Sequence, residues 1–532
     1  MSAYDLLYGA ALGAYLLALG YVTVYCLLQL HLLWAYLRRE GTPAPAGVHA
    51  GAPARRLPAV TVQLPLYNER YVAERVIDAV CAFDYPRDRL QVQVLDDSDD
   101  DTVGVVAERV ALWRARGVDI AQVRRPERHG YKAGALADAM PLVKGEFVAI
   151  FDADFVPARD FLRRSVPHFA DARTGVVQSR WEHLNEDHSV ITRLQALQLN
   201  VHFTVEQSGR RAADLFAQFN GTAGVWRRAC IDDAGGWRAD TLTEDLDLSI
   251  RAQLRGWTVR YLEDNRAPAE LPVEMNAFKS QQHRWMKGGA ETARKLLPSL
   301  WRDARLTLAK KLHITSHLLA SSIFLFVFLI GVLSVPTAFA VAHFALPGHL
   351  FGGFLVATLA VGAVYYVANV HASWRRVSTY RALLRFAVLF PLFLCLSMGL
   401  SLHNTVAVLQ GFRGKKSPFV RTPKFALGLG NSVAANAYRA RKLKWTTLGE
   451  GALALLFVAA VAWGLHTGNT FFTAFHAMLA VGYASIFVIT LRHTYAPHTA
   501  AAPPSPPASS TPPRREGRAA AAPPAPSLAE LT

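Results

Sequence analysis

The run Val148-Ala149-Ile150-Phe151-Asp152-Ala153-Asp154-Phe155 follows Lys144-Gly145-Glu146, begins apolar and ends in two carboxylates one residue apart. A strand buried on both faces of a parallel sheet reads this way, turning polar only at its C-terminal end. In open α/β sheets that end is where ligands gather. On an extended chain residues i and i+2 point the same way, so Asp152 and Asp154 are placed to share one hard cation, Mg2+ or Mn2+. A cation held there can grip a diphosphate and neutralise charge on a departing nucleotide.

Strand patterns recur around this run at 60–65, 90–95 and 118–123, and helical spacing at 69–83, 105–116 and 132–143. Strands alternating with helices predict an α/β domain over residues 57–285, with a mostly parallel sheet and helices on both faces. The rest of the chain is of another kind. Of its 532 residues 52% are apolar and only 18% charged, low for a purely soluble protein. The net charge is +16, and the basic residues cluster beside apolar runs. Anionic lipid heads and phosphate-bearing substrates are the partners this implies. No motif of the nucleic-acid-binding classes is present, so nucleic acid is not an expected partner. The cysteines Cys26, Cys81, Cys230 and Cys395 are scattered without metal spacing, which suits a reducing compartment rather than a disulfide scaffold.

Residues 6–37 carry no formal charge and are long enough to cross a bilayer. Without a basic n-region they read as a retained span. Arg38 and Arg39 follow, placing the N-terminus outside and the α/β domain in the cytosol, beyond a Pro/Gly/Ala linker. Residues 286–312 mix basic and large apolar side chains, as interfacial amphipathic helices do. Apolar runs follow at 314–344, 350–370, 386–409, 450–466 and 471–491. The third is flanked on both sides by basic residues: Arg375, Arg376, Arg381 and Arg385 before it, and Arg413 through Lys444 after it. Both flanks call for the cytosol, so 386–409, with Pro391, Ser401, His403 and Asn404, is expected to be interfacial or re-entrant. Five spans remain, with a cytosolic C-terminus in a cell (inner) membrane; six is the alternative. Residues 411–447 form a cytosolic basic loop, and the Pro/Ala-rich 496–532 is expected to be disordered.

Carboxylates recur at predicted strand ends and helix starts. Glu69 follows Tyr67-Asn68, Asp96-Asp97 follows the strand at 90–95, and Glu244-Asp245 follows Thr243 at the head of a helical run. Downstream, Gln281-Gln282-His283-Arg284-Trp285 offers a guanidinium for bidentate phosphate contact and an indole face on which a sugar ring can stack.

The ordered set Asp97, Asp152-x-Asp154, Thr243-Glu244-Asp245 and Gln281-x-x-Arg284-Trp285 resembles the D, DxD, TED and QxxRW series of processive family-2 glycosyltransferases, among them cellulose, chitin and hyaluronan synthases. The strings at 93–98, 219–227 and 281–285 look closest to the cellulose synthase-like A and C groups, the mannan/glucomannan and β-glucan synthases. The resemblance implies a GT-A-like cytosolic domain inserted in a helical membrane bundle. It implies an inverting, processive β-glycosyltransferase that extends and translocates a polysaccharide from UDP-glucose or GDP-mannose with Mg2+ or Mn2+. A single transfer to a lipid acceptor is the alternative.

By the same resemblance Tyr67, Glu69, Asp97, Lys132, Asp152, Gln281 and Arg284 bind the donor, and Asp152 and Asp154 hold the metal. Asp245 is the general base, flanked by Thr243 and Glu244. Trp285, Phe219, Asn220 and Gly221 border the acceptor. Phe419, Thr422 and Lys424 match the spacing of the FxVTxK gating loop of cellulose synthases, with Arg421 where that motif has Val. No segment after residue 491 resembles a cyclic-dinucleotide-binding domain, so regulation of that kind is not expected.

Overall fold

The computed structural model describes residues 3–39, 57–372, 379–417, 422–424 and 443–495. The α/β domain is built on a seven-stranded sheet in the order β3-β2-β1-β4-β6-β5-β7. The strands are β1 (Val60–Leu66), β2 (Leu90–Asp96), β3 (Asp119–Val123), β4 (Phe147–Ile150), β5 (Thr174–His183), β6 (Gly224–Arg227) and β7 (Thr258–Ala269). Pairings among β1 to β4, and between β5 and β7, are parallel; β6 runs antiparallel to both β4 and β5. Val60, Val62 and Leu64 of β1 and Val92 and Val94 of β2 are fully buried, as the apolar runs require. The helices at Ala73–Cys81, Thr102–Ala115 and Tyr131–Ala139 overlap the predicted ones, with ends that differ by about a turn at most.

β4 is shorter than the run at 148–155 implies: it stops at Ile150. Asp152 and Asp154 therefore lie in a turn, where the Phe155 amide donates to the Asp152 carbonyl at 3.1 Å, and strand alternation is not what brings them together.

The helix Met275–Arg302 runs without interruption through the QxxRW segment. One helix thus carries both the end of the expected α/β domain at Trp285 and the 286–302 part of the expected interfacial segment. Gly288 and Gly289 let this helix approach its neighbours closely: a Cβ at Gly288 would lie 2.6 Å from Thr243 Cγ2.

Six described helices are long and apolar enough to cross a membrane: Ala3–Arg39, Ala320–Phe344, Gly348–His371, Tyr380–Gly399, Trp445–Thr467 and Thr473–Tyr495. Five of them fall on the expected spans, and the sixth, Tyr380–Gly399, falls on the run expected to be interfacial or re-entrant. The run read as one element at 386–409 is two helices, Thr379–Gly399 and Ser401–Phe412, which meet at Leu400. Gly399 and Gly482 sit at a close crossing, where a Cβ on Gly482 would fall 2.2 Å from the Cys395 carbonyl oxygen. At the other end of the first helix Arg385 pairs with Glu186 at 2.8 Å and Asp187 at 3.2 Å, both in the α/β domain. The second helix lies along Met275–Arg302, with His403 Nε2 2.8 Å from the Lys279 carbonyl. A buried ion pair joins that long helix to the bundle: Lys279 Nζ reaches both oxygens of Glu450 at 2.8 Å.

Candidate active site

The C-terminal ends of β1, β2 and β4, the Glu244–Leu254 helix start and the Met275–Arg302 helix enclose a cavity of about 200 Å³. Tyr67, Glu69, Asp97, Lys132, Asp152, Asp154, Asn220, Gly221, Thr243, Glu244, Asp245, Gln281, Arg284, Trp285, Thr422 and Lys424 all line it. One site thus gathers residues from segments more than 350 positions apart.

One described residue of the predicted set, Phe219, does not line it. Phe219 is fully buried, with its ring 5.4 Å from that of Trp226 and 6.5 Å from that of Trp237, and belongs to the core beneath the site. Its neighbours Asn220 and Gly221 reach the cavity, because Gly221 takes a positive φ of 79°. Phe419 lies outside the described residues.

Asp97 is fixed from below by Arg125, whose Nε and Nη2 donate to its two oxygens at 2.9 and 2.6 Å. The Arg128 guanidinium lies 3.4 Å from the centroid of the Tyr67 ring, forming a flat cationic wall beside Asp97. Lys132 Nζ bridges the Asp152 carboxylate and, at 2.9 Å, the Gly221 carbonyl. Lys424 Nζ donates to Asp154 at 2.6 Å, and Arg284 Nη2 donates to the Thr422 hydroxyl at 2.9 Å. The Thr422–Lys424 segment therefore closes over the carboxylate pair.

Burial holds the Asp154 carboxyl above its usual range, although Lys424 opposes this. Both carboxylates of the pair already carry a cationic nitrogen. An all-oxygen pair in one cavity suits a hard divalent ion that takes its other ligands from phosphate and water. Among the described residues no group of three or more His, Cys, Asp or Glu is gathered to hold a metal by itself.

Asp245 stands at the head of its helix, beside Gly221, where a Cβ would come 3.1 Å from Asp245 Oδ2. Burial, and then the charge of Glu244, push its carboxyl up to about 7. Burial also raises Glu244, against the pull of Lys132. Thr243 does not cap its own helix with its side chain; its hydroxyl meets that of Thr292 at 3.0 Å. Glu291 accepts from the Leu242 amide at 2.9 Å. The turn that presents Asp245 is thus bolted to the helix that presents Arg284 and Trp285. Thr292, Glu291, Gly288 and Arg125 are positioning residues that the sequence reading missed, because each acts on a partner far away in the chain.

A second cavity, about 610 Å³ and mostly apolar, begins at Asn220, Thr243, Asp245 and Trp285 and continues among membrane helices past Tyr25, Phe324, Ala357 and Met478. Trp285 and Asp245 belong to both cavities. At the joint His202 contacts Asn220 Oδ1 and Glu206, each at 2.8 Å, and Gln29 donates to Glu206 at 2.9 Å. His202 and Glu206 are the two ends of a π-helical turn, a local irregularity common at functional sites.

A sheet of this order with its acidic residues at the strand ends, set in a membrane bundle, defines a GT-A glycosyltransferase. Residues 58–288 match the model of the family described as "Glycosyltransferase like family 2". The chain is 38% identical over 420 residues to glucomannan 4-beta-mannosyltransferase 1 of Oryza sativa subsp. japonica, covering 75% of this chain and 76% of that one. To glucomannan 4-beta-mannosyltransferase 2 of Arabidopsis thaliana it is 38% identical over 435 residues, 78% of each. It belongs to the family-2 glycosyltransferases and is similar to the glucomannan mannosyltransferases among them. Among solved structures it is similar to the mannosyltransferase PcManGT of Pyrobaculum calidifontis in complex with GDP-Man and Mn2+. That likeness is at 21% identity and a TM-score of 0.49, over 76% of this chain and 99% of that one.

Proposed function

We propose that this enzyme is a processive, inverting β-mannosyltransferase. It takes mannose from GDP-mannose, adds it to a growing mannan or glucomannan chain, and passes the chain through its own bundle. The observation that carries this reading is the joint between the two cavities. Asp245 and Trp285 face the carboxylate pair on one side and an apolar passage between membrane helices on the other. The names of the curated relatives support mannose over glucose.

Tyr67, Arg128, Glu69 and Asp97 hold the nucleoside. Lys132 and Arg284 face the diphosphate, and Asp152 and Asp154 would hold Mg2+ or Mn2+. Held by these two carboxylates, such a cation would supply positive charge toward the leaving diphosphate. The terminal sugar of the acceptor stacks on Trp285 with one hydroxyl toward Asp245. Asp245 takes that proton as the oxygen bonds to the sugar C1 and the bond from C1 to the diphosphate breaks on the opposite face, which inverts the anomeric centre. Thr422 and Lys424 act as a lid that exchanges their contacts with Arg284 and Asp154 for contacts with the nucleotide.

Orientation follows from the same reading. The α/β domain and the C-terminus are cytosolic and the N-terminus is outside. The Thr379–Gly399 and Ser401–Phe412 pair enters and leaves on the cytosolic side, since Arg385 at one end and Gln410 at the other both meet the catalytic half of the chain.

The test is a donor screen on the purified enzyme with GDP-mannose, UDP-glucose, UDP-GlcNAc and UDP-galactose, with and without Mn2+, followed by linkage analysis. Polymer from GDP-mannose that disappears with chelator is the expected result. Turnover of UDP-glucose alone would transfer the reading to a glucan synthase.

A further inference from the structure

A third cavity, about 1520 Å³, lies on the far side of Trp181 and His183 from the donor site. Its walls are the last turns of the Ala3–Arg39 and Gly348–His371 helices, the first turns of Tyr380–Gly399, and the open faces of β5 and β7. Nine arginines line it against four carboxylates.

The imbalance is sharpest around Glu263. Arg39 Nη2 is 3.3 Å from that carboxylate and Arg180 Nη1 is 3.9 Å away, while Ser208 also donates to it at 2.9 Å. Two residues back on the strand, the Tyr261 carbonyl accepts from Arg211 Nη1 at 3.0 Å. Arg211 has no carboxylate partner among the described residues. Burial and the charges of Arg39 and Arg260 hold its guanidinium below the usual arginine range. Arg39 Nη1 is buried with nothing to donate to. Arg39 and Arg180 thus share one carboxylate, and Arg211 stands beside them with a carbonyl for its partner, an excess of positive charge that an added anion stabilises. The lining also includes large apolar side chains, Trp34, Leu197, Phe386 and Leu389.

We infer that this cavity is a binding site for a phosphate-bearing anion, with the phosphate held by Arg39, Arg180 and Arg211. Guanidinium forks match phosphate geometry. The apolar side chains, and the helix ends that place the cavity at membrane level, fit a phospholipid whose acyl chains lie against Phe386 and Leu389. The inference rests on the membrane placement proposed above but not on the donor, acceptor or chemistry of the active site.

Native mass spectrometry of the purified full-length enzyme in detergent tests it, with phosphatidylglycerol and phosphatidylcholine of identical acyl chains titrated separately and no sugar nucleotide present. A preference of about tenfold for phosphatidylglycerol is expected, lost in Arg39→Gln/Arg211→Gln and kept in Arg39→Lys/Arg211→Lys. If the glutamine variant does not fold, the wild-type preference between the two lipids still decides. A parallel arm follows thermal unfolding with inorganic phosphate. Protection by phosphate without lipid preference assigns the same arginines to a soluble phosphate compound. Equal binding of the two lipids together with no protection by phosphate overturns the site.

Discussion

Asp245 is held part-protonated near neutrality by its enclosure and by Glu244. A base must be ionised to act, so the acid limb of kcat/KM for donor should fall as pH drops through about 7, not through the ordinary carboxylate range near 4. A pH–rate profile flat down to pH ~5 would remove this assignment. Asp245→Asn should lower kcat by roughly 10²- to 10⁴-fold while leaving donor binding near wild type, measured by calorimetry with the nucleoside diphosphate. At this scale the sequence is most legible where a residue type can do only one kind of chemistry. Asp97, Asp152, Asp154, Asp245 and Arg284 all reach one cavity. Phe219 does not, because an aromatic before Asn-Gly has the same spelling whether it stacks on a sugar or packs on Trp226. Arg125 carried no signal, since its meaning comes only from Asp97 lying opposite.

The elements most easily read were β1 to β3 and their helices, where local apolar pattern and burial agree. β5 and β7 escaped notice for a physical reason. Their pairing shifts register between Ser179 and Arg180, and their second halves carry Arg, Glu and Asn toward the third cavity, so alternation is broken. That one helix, Met275–Arg302, runs through residue 285 is hidden in the sequence, because basic residues after Trp285 look like an interfacial face. Lys287 is in fact buried, and Gly288 rests on Thr243. Gly288→Ala should therefore displace the base-bearing turn, costing about 1–3 kcal/mol of stability and lowering kcat more than it raises KM. Thermal unfolding and steady-state kinetics on the same preparation check both. The Lys279–Glu450 pair ties this helix to the bundle, so Glu450→Leu alone should cost about 3–5 kcal/mol, and pairing it with Lys279→Met should restore most of that. A double-mutant cycle of detergent-solubilised protein measures the difference.

At the scale of the whole molecule, the membrane count depends on partners that one sequence segment does not reveal. Charge parity argued that 386–409 returns to its own side, and composition alone admits it as a span. The break at Leu400, and contacts of both resulting helices with the catalytic half, come only from tertiary packing. The passage that starts at Trp285 was likewise not legible, because its wall draws single residues from many helices. Filling it should separate chemistry from extension: Ala357→Trp is expected to release short oligosaccharides while donor turnover persists, read by product sizing.

The most direct test of the joined-cavity account uses sealed vesicles carrying the enzyme with its catalytic domain outward, supplied with radiolabelled GDP-mannose and Mn2+. The account predicts labelled polymer that an externally added endo-β-mannanase cannot digest until detergent opens the vesicles. Polymer fully digestible in intact vesicles, or a single labelled sugar on an extractable lipid, would contradict it.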